Sequence, residues 1–241
     1  MYRRIVLALA GLGALALSGC VTSGSKMDLA PYETRPVKAL FATGDYCNVE
    51  GNAGVEKVRS NEECARVTWD SATRRYIFTL VDDGKTSVLP VSVTPFRNGV
   101  LFAQADAIDL ARIEGAHEEP ADKSDKDHDD LPPHLHAALL VVGGAMINLG
   151  WDATAEEMDA LVARHPKIKV EGKGTSRSIV EGSREDALDY IWDLLMVSVK
   201  KGGAEPSILV RDKLGAPVHP PTKAQRRDIK AALAKVDALK R

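Results

Sequence analysis

Four of the six histidines stand close together, at His117, His128, His134 and His136, with Asp125, Asp127, Asp129 and Asp130 among them. Imidazole and carboxylate are good ligands for Zn²⁺, Ni²⁺ or Cu²⁺. His134-x-His136 would put both rings on one side of a strand, because strand side chains alternate with period two. These four histidines are therefore the candidate metal ligands, and a divalent metal is the one candidate non-covalent cofactor. The set has no fixed four-ligand spacing, and an acidic stretch containing histidine also suits a plain solvated loop. Nucleophilic catalysis has less support. There is no G-x-S-x-G elbow, and Ser183 reads as a helix cap. "EGKGTSR" at 171–177 lacks the phosphate-loop pattern. Acidic residues are too numerous for any pair to stand out as a glycosidase dyad. The expectation is a chain without catalytic residues.

The start of the chain carries a sharper pattern. Arg3 and Arg4 precede an uncharged apolar run from Ile5 to Leu17, which the small residues Ser18 and Gly19 close. The run has the length of a secretion signal and falls short of the roughly 20 residues that span a bilayer. Leu17-Ser18-Gly19-Cys20 resembles the bacterial lipobox, an aliphatic residue and two small ones before a cysteine. That resemblance covers the leader alone. It implies that residues 1–19 are a signal peptide removed before Cys20, that Cys20 carries a diacylglycerol thioether, and that its new amine is acylated. Each buried methylene contributes about 0.8 kcal/mol, so three acyl chains hold a protein on a membrane permanently. Val21 rather than Asp follows the cysteine. By the same resemblance this favours the outer membrane, with the domain facing the periplasm. Residues 20–37 are small, polar and proline-containing, and read as a flexible tether.

With Cys20 acylated, Cys47 and Cys64 remain in an oxidising compartment. A bridge between them would close a loop of about 18 residues, worth roughly 3 kcal/mol on loop-closure entropy. A redox or metal thiol pair is the rival, but no C-x-x-C spacing and no nearby histidine accompany it. The formal charge of −2 becomes −4 once Arg3 and Arg4 leave with the leader. Such a chain has no general drive toward nucleic acid. The expected partners are the membrane, through the lipid, and an envelope protein.

The positioning elements read as α+β. Tyr76, Phe78 and Leu80 alternate along one strand, "DDGK" at 82–85 and "RNG" at 97–99 mark hairpin turns, and Pro90 marks an edge or a bulge. These strands form an antiparallel meander. Residues 114–133 interrupt it with eight acidic groups and three prolines, a solvated loop. Two apolar runs flank Gly143-Gly144, a second hairpin. Thr154-x-x-Glu157 opens one helix as a capping box, Ser183 caps another that Gly202-Gly203 ends, and 222–241 is a basic amphipathic helix. About three helices thus pack on the meander from the C-terminal half, in one domain over 38–221. The terminal helix has seven positive charges against two negative, over a stripe of Ile229, Leu233 and Val236. It either docks an acidic partner, anionic lipid or cell wall, or packs its apolar stripe on the domain's own sheet.

Overall fold

The structure is a computed structural model that describes residues 22–50, 56–59, 64–82, 85–109, 132–172, 177–202 and 207–241. In chain order its strands are β1 (Thr22–Ser25), β2 (Gly44–Glu50), β3 (Lys57–Val58), β4 (Cys64–Asp70), β5 (Arg75–Asp82), β6 (Lys85–Pro95), β7 (Leu101–Asp106), β8 (His134–Val142) and β9 (Ala145–Leu149). Helix α1 (Ala155–Arg164), β10 (Lys169–Glu171), β11 (Arg177–Glu181), α2 (Arg184–Lys201), β12 (Ser207–Arg211) and α3 (Lys223–Leu239) follow.

Local turn chemistry builds the first hairpins. Asn98 and Gly99 take positive φ between β6 and β7, and Gly143 does so between β8 and β9. The run β4-β5-β6-β7-β8-β9 is a continuous antiparallel path, and β2 pairs with β4. β12 then slots between β2 and β9, antiparallel to both. This closes eight strands into an antiparallel β-barrel, in place of the open α+β meander that the sequence suggests. The reason is one of range. Each hairpin is signalled by its own turn, but closure depends on Ser207–Arg211 meeting Tyr46–Asn48 far along the chain, and hydrophobic alternation does not encode which strand a strand meets.

All eight barrel strands send side chains inward. Tyr46, Tyr76, Phe78, Leu89, Val93 and Met146 are almost wholly buried in that interior. An eight-stranded barrel is just wide enough to be filled this way. The opposite face is also apolar on one side of the barrel. On β8, Ala137 and Leu139 point in, while Ala138 and Leu140 point out into a second cluster. Met158 and Leu161 of α1, Ile191 and Leu195 of α2, and Ile229 and Val236 of α3 cover that outer face. The dense apolar run of β8 follows from burial on both faces.

Thr154 and Glu157 make both halves of a capping box at α1, and Ser183 accepts from the Asp186 amide at α2. Gly202 ends α2 in the left-handed region. The terminal helix has its own box, Thr222 with Gln225, and buries Ile229, Ala232 and Val236. No helix among the described residues is long and apolar enough to cross a membrane.

Candidate functional site

The segment expected to be a loose tether is built into the molecule. β1 runs parallel to β11 over Thr22–Ser25 and antiparallel to β8 at Gly24 and Ser25. Gly24 is required there, since a Cβ would collide with Pro132 and approach the His134 carbonyl to 2.7 Å. The chain then crosses the outer face of the barrel as a belt. The Leu29 amide donates to Gln104 Oε1 at 2.9 Å, and Leu29 and Ala30 are fully buried. Arg35 is buried as well, with Nε donating to the Ala30 carbonyl and Nη1 to that of Thr73. Phe41 stacks on Tyr76 at 4.1 Å and joins the barrel interior just before β2. Small and polar residues are thus the material of this belt because they sit against polar partners, where composition alone reads as slack.

Under the belt lies a buried polar row running across the strands. Ser178 of β11 is opposite Ser23 of β1, and the β1–β8 register puts Ser23 opposite His136. Gln104 of β7 is opposite His136, and Ser92 of β6 is opposite Gln104. All five are at most 2% exposed. Gln104 Nε2 also donates to Asp28 Oδ1 at 2.7 Å, and Arg35 lies 3.6 Å from the other oxygen of Asp28. Two residues further along each strand, the His134 ring donates from Nδ1 to Asp106 at 2.9 Å, and Arg75 holds the second oxygen of Asp106.

Among the described residues, Ser25 and His136 have the outline of a catalytic pair. Ser25 Oγ is 3.0 Å from His136 Nε2, but its hydroxyl proton goes to the Met27 carbonyl. The imidazole must then donate from Nε2, which leaves Nδ1 as a bare acceptor. Nδ1 has no hydrogen-bond partner among the described residues. Burial, and then the neighbouring His134, push the His136 imidazole down to about 3. A histidine so placed stays neutral and takes no proton from Ser25 near pH 7. The pair is a structural contact that ties β1 to β8.

The sequence candidates are distributed as follows. His134 and His136 do share one face of β8, yet one bonds to Asp106 and the other to Ser25. His117 and His128 lie outside the described residues. Among the described residues no group of three or more His, Cys, Asp or Glu is placed to hold a metal ion. Cys20 also lies outside the described residues. Cys47 and Cys64 form a disulfide and face each other across β2 and β4. Sequence reasoning missed Ser23, Ser25, Asp28, Arg35 and Gln104. The available signal was Gln104, a polar residue inside the apolar strand "LFAQAD" with Ala103 and Ala105 on either side.

The fold defines a closed eight-stranded antiparallel β-barrel with strands added at β8 and helices over one side. No family model, no curated protein and no solved structure matches this chain.

Proposed function

We propose that the chain is an envelope lipoprotein, anchored through acyl chains on Cys20 in the outer membrane and facing the periplasm. Its barrel acts without catalysis, as an accessory or interaction module. The observation that carries this reading is Leu17-Ser18-Gly19-Cys20 standing directly ahead of β1. Cleavage before Cys20 leaves β1, the belt and the whole barrel in the mature chain. The Cys47–Cys64 disulfide suits an oxidising compartment. A barrel interior filled by its own side chains, and a Ser–His pair with no base, suit a module that works through its surface.

The test is labelling of the full-length protein with radioactive palmitate in a bacterial host, with intact mass and membrane fractionation. The expected product begins at an acylated Cys20 and fractionates with the outer membrane, and Cys20→Ala abolishes both label and membrane association. A mature chain without acyl groups, or one released as a soluble protein, sinks the proposal. Crosslinking of the native form against Cys20→Ala then reads the interaction role, through an envelope protein captured by the anchored form alone.

A further inference from the structure

Resting on that reading of Cys20, we propose that the belt, residues 27–40, is the surface on which the domain sits against the lipid bilayer. Three observations lead there. The first is reach. Cys20 is two residues from Thr22, and β1 is fixed from Thr22 onward by ladders to β11 and β8. Seven residues span at most about 24 Å, so Met27 lies within that distance of the acylated residue. A domain of this size has a radius of gyration of about 17 Å, so Met27 belongs to the half of the surface nearest the anchor.

The second is exposure. Among the described residues, the exposed large apolar side chains are Met27, Tyr32, Val37, Leu40, Val88, Ile108 and Val218. Four of these seven fall on the belt, and Val37 is the most exposed of all at 67%. They project from a strap held down at Leu29, Arg35 and Phe41, so they cannot fold back into the core.

The third is chemistry. The Arg74 guanidinium lies 4.5 Å over the Tyr32 ring, and Lys38 is exposed beside Val37. One aromatic ring, aliphatic side chains and two cations, with Glu33 the one exposed carboxylate among residues 27–40, suit the headgroup boundary, where apolar parts enter the acyl region and cations meet lipid phosphates. The occupant is a bilayer rather than a second protein because the anchor supplies one. A tether this short keeps the belt at high effective concentration beside the membrane.

The test uses the full-length acylated protein in vesicles of phosphatidylethanolamine and phosphatidylglycerol. Cys20 is acylated and Cys47–Cys64 is oxidised, so an added cysteine is the one reactive thiol. Met27→Cys and Val37→Cys carry an environment-sensitive dye, with Val88→Cys and Val218→Cys as references off the belt. In vesicles, iodide quenching at positions 27 and 37 is expected to fall by roughly tenfold against the references, while a nitroxide on the lipid chains quenches them strongly. Equal iodide access at 37 and 88 overturns the inference. So does protection at 37 in the unacylated Cys20→Ala protein free of vesicles and detergent, which would mean that protein covers the belt. Acylation is read by mass on the same samples. A chain without lipid fails the anchoring proposal, whereas an acylated chain with an open belt fails the seating alone.

Discussion

Ser25 Oγ stands 3.0 Å from Nε2 of His136, with both residues buried and with the serine proton committed to the Met27 carbonyl. A proton added to this imidazole would go to Nδ1, which has no partner among the described residues. The folded state therefore holds His136 at about 3, against 6.5 when exposed. The folded pKa is the lower one, so the unfolded chain binds the proton first. Stability is full above pH 6.5 and falls as pH drops from 6.5 toward 3, by about 2 kcal/mol at pH 5. His219 acts with the opposite sign, since its bond to the Pro220 carbonyl, and then Asp212, raise it. His136→Gln isolates the first effect. Urea midpoints for wild type should decline between pH 7.5 and 5, and the variant should lose most of that slope whatever its overall stability. An unchanged slope would show that His136 is not the group responsible.

Gln104 fastens the belt at its centre. Its carbonyl oxygen takes the Leu29 amide and its amino group reaches Asp28, at 2.9 and 2.7 Å. Gln104→Leu keeps the volume and removes both bonds, which leaves a buried amide without its acceptor. The expected cost is about 2–3 kcal/mol in denaturant unfolding. Hydrogen exchange at Leu29 should accelerate well before that at barrel amides such as Phe78. Uniform loss of protection across both would mean that the belt and the barrel open together.

The parts of this fold that were legible in the sequence are those written locally. The turn at Gly143, the box of Thr154 and Glu157, and the cap at Gly202 are each specified by a few neighbouring residues. The closed barrel was not legible, because β12 finds β2 and β9 only by tertiary packing. The belt was misread for a related reason. Residues such as Gly24, Ser25 and Asp28 have the composition of a linker, and their partners, Pro132, His136 and Gln104, arrive from segments more than seventy residues away. Of the candidate site residues, the cystine was legible from the count of cysteines once Cys20 is set aside. His134 and His136 share the expected face of β8, but Asp106 and Ser25 take them up separately.

The terminal helix packs its apolar stripe on the barrel. Ile229, Ala232 and Val236 are buried in the outer cluster, and Asp228 accepts the Gly144 amide at 2.9 Å, so α3 clasps the β8–β9 hairpin. Ile229→Ala should cost about 2–4 kcal/mol through the lost burial and the cavity it leaves. Lys230→Ala, at an exposed neighbouring position, should cost less than about 0.5 kcal/mol. Denaturant titration of the two variants separates packing from any surface role of the basic face. Equal small effects would remove the helix from the folding unit.

Cys47 and Cys64 are directly opposite on β2 and β4 and are 0% and 7% exposed. Their bond closes a short loop between two adjacent barrel strands, so its main effect is on the unfolded chain. Removing it should cost about 3 kcal/mol, which in a domain of this size lowers Tm by roughly 6–12 °C. The cleanest comparison is the double variant Cys47→Ala, Cys64→Ala against wild type, because single variants leave a buried thiol. Because water scarcely reaches either sulfur, wild type should resist dithiothreitol when folded and yield both thiols only in denaturant. The unreduced protein should therefore show no titratable thiol from this pair, folded or unfolded. Two thiols appearing in unreduced, denatured protein would show that the pair is not bonded, and a Tm unchanged in the double variant would show that the bond contributes nothing to stability.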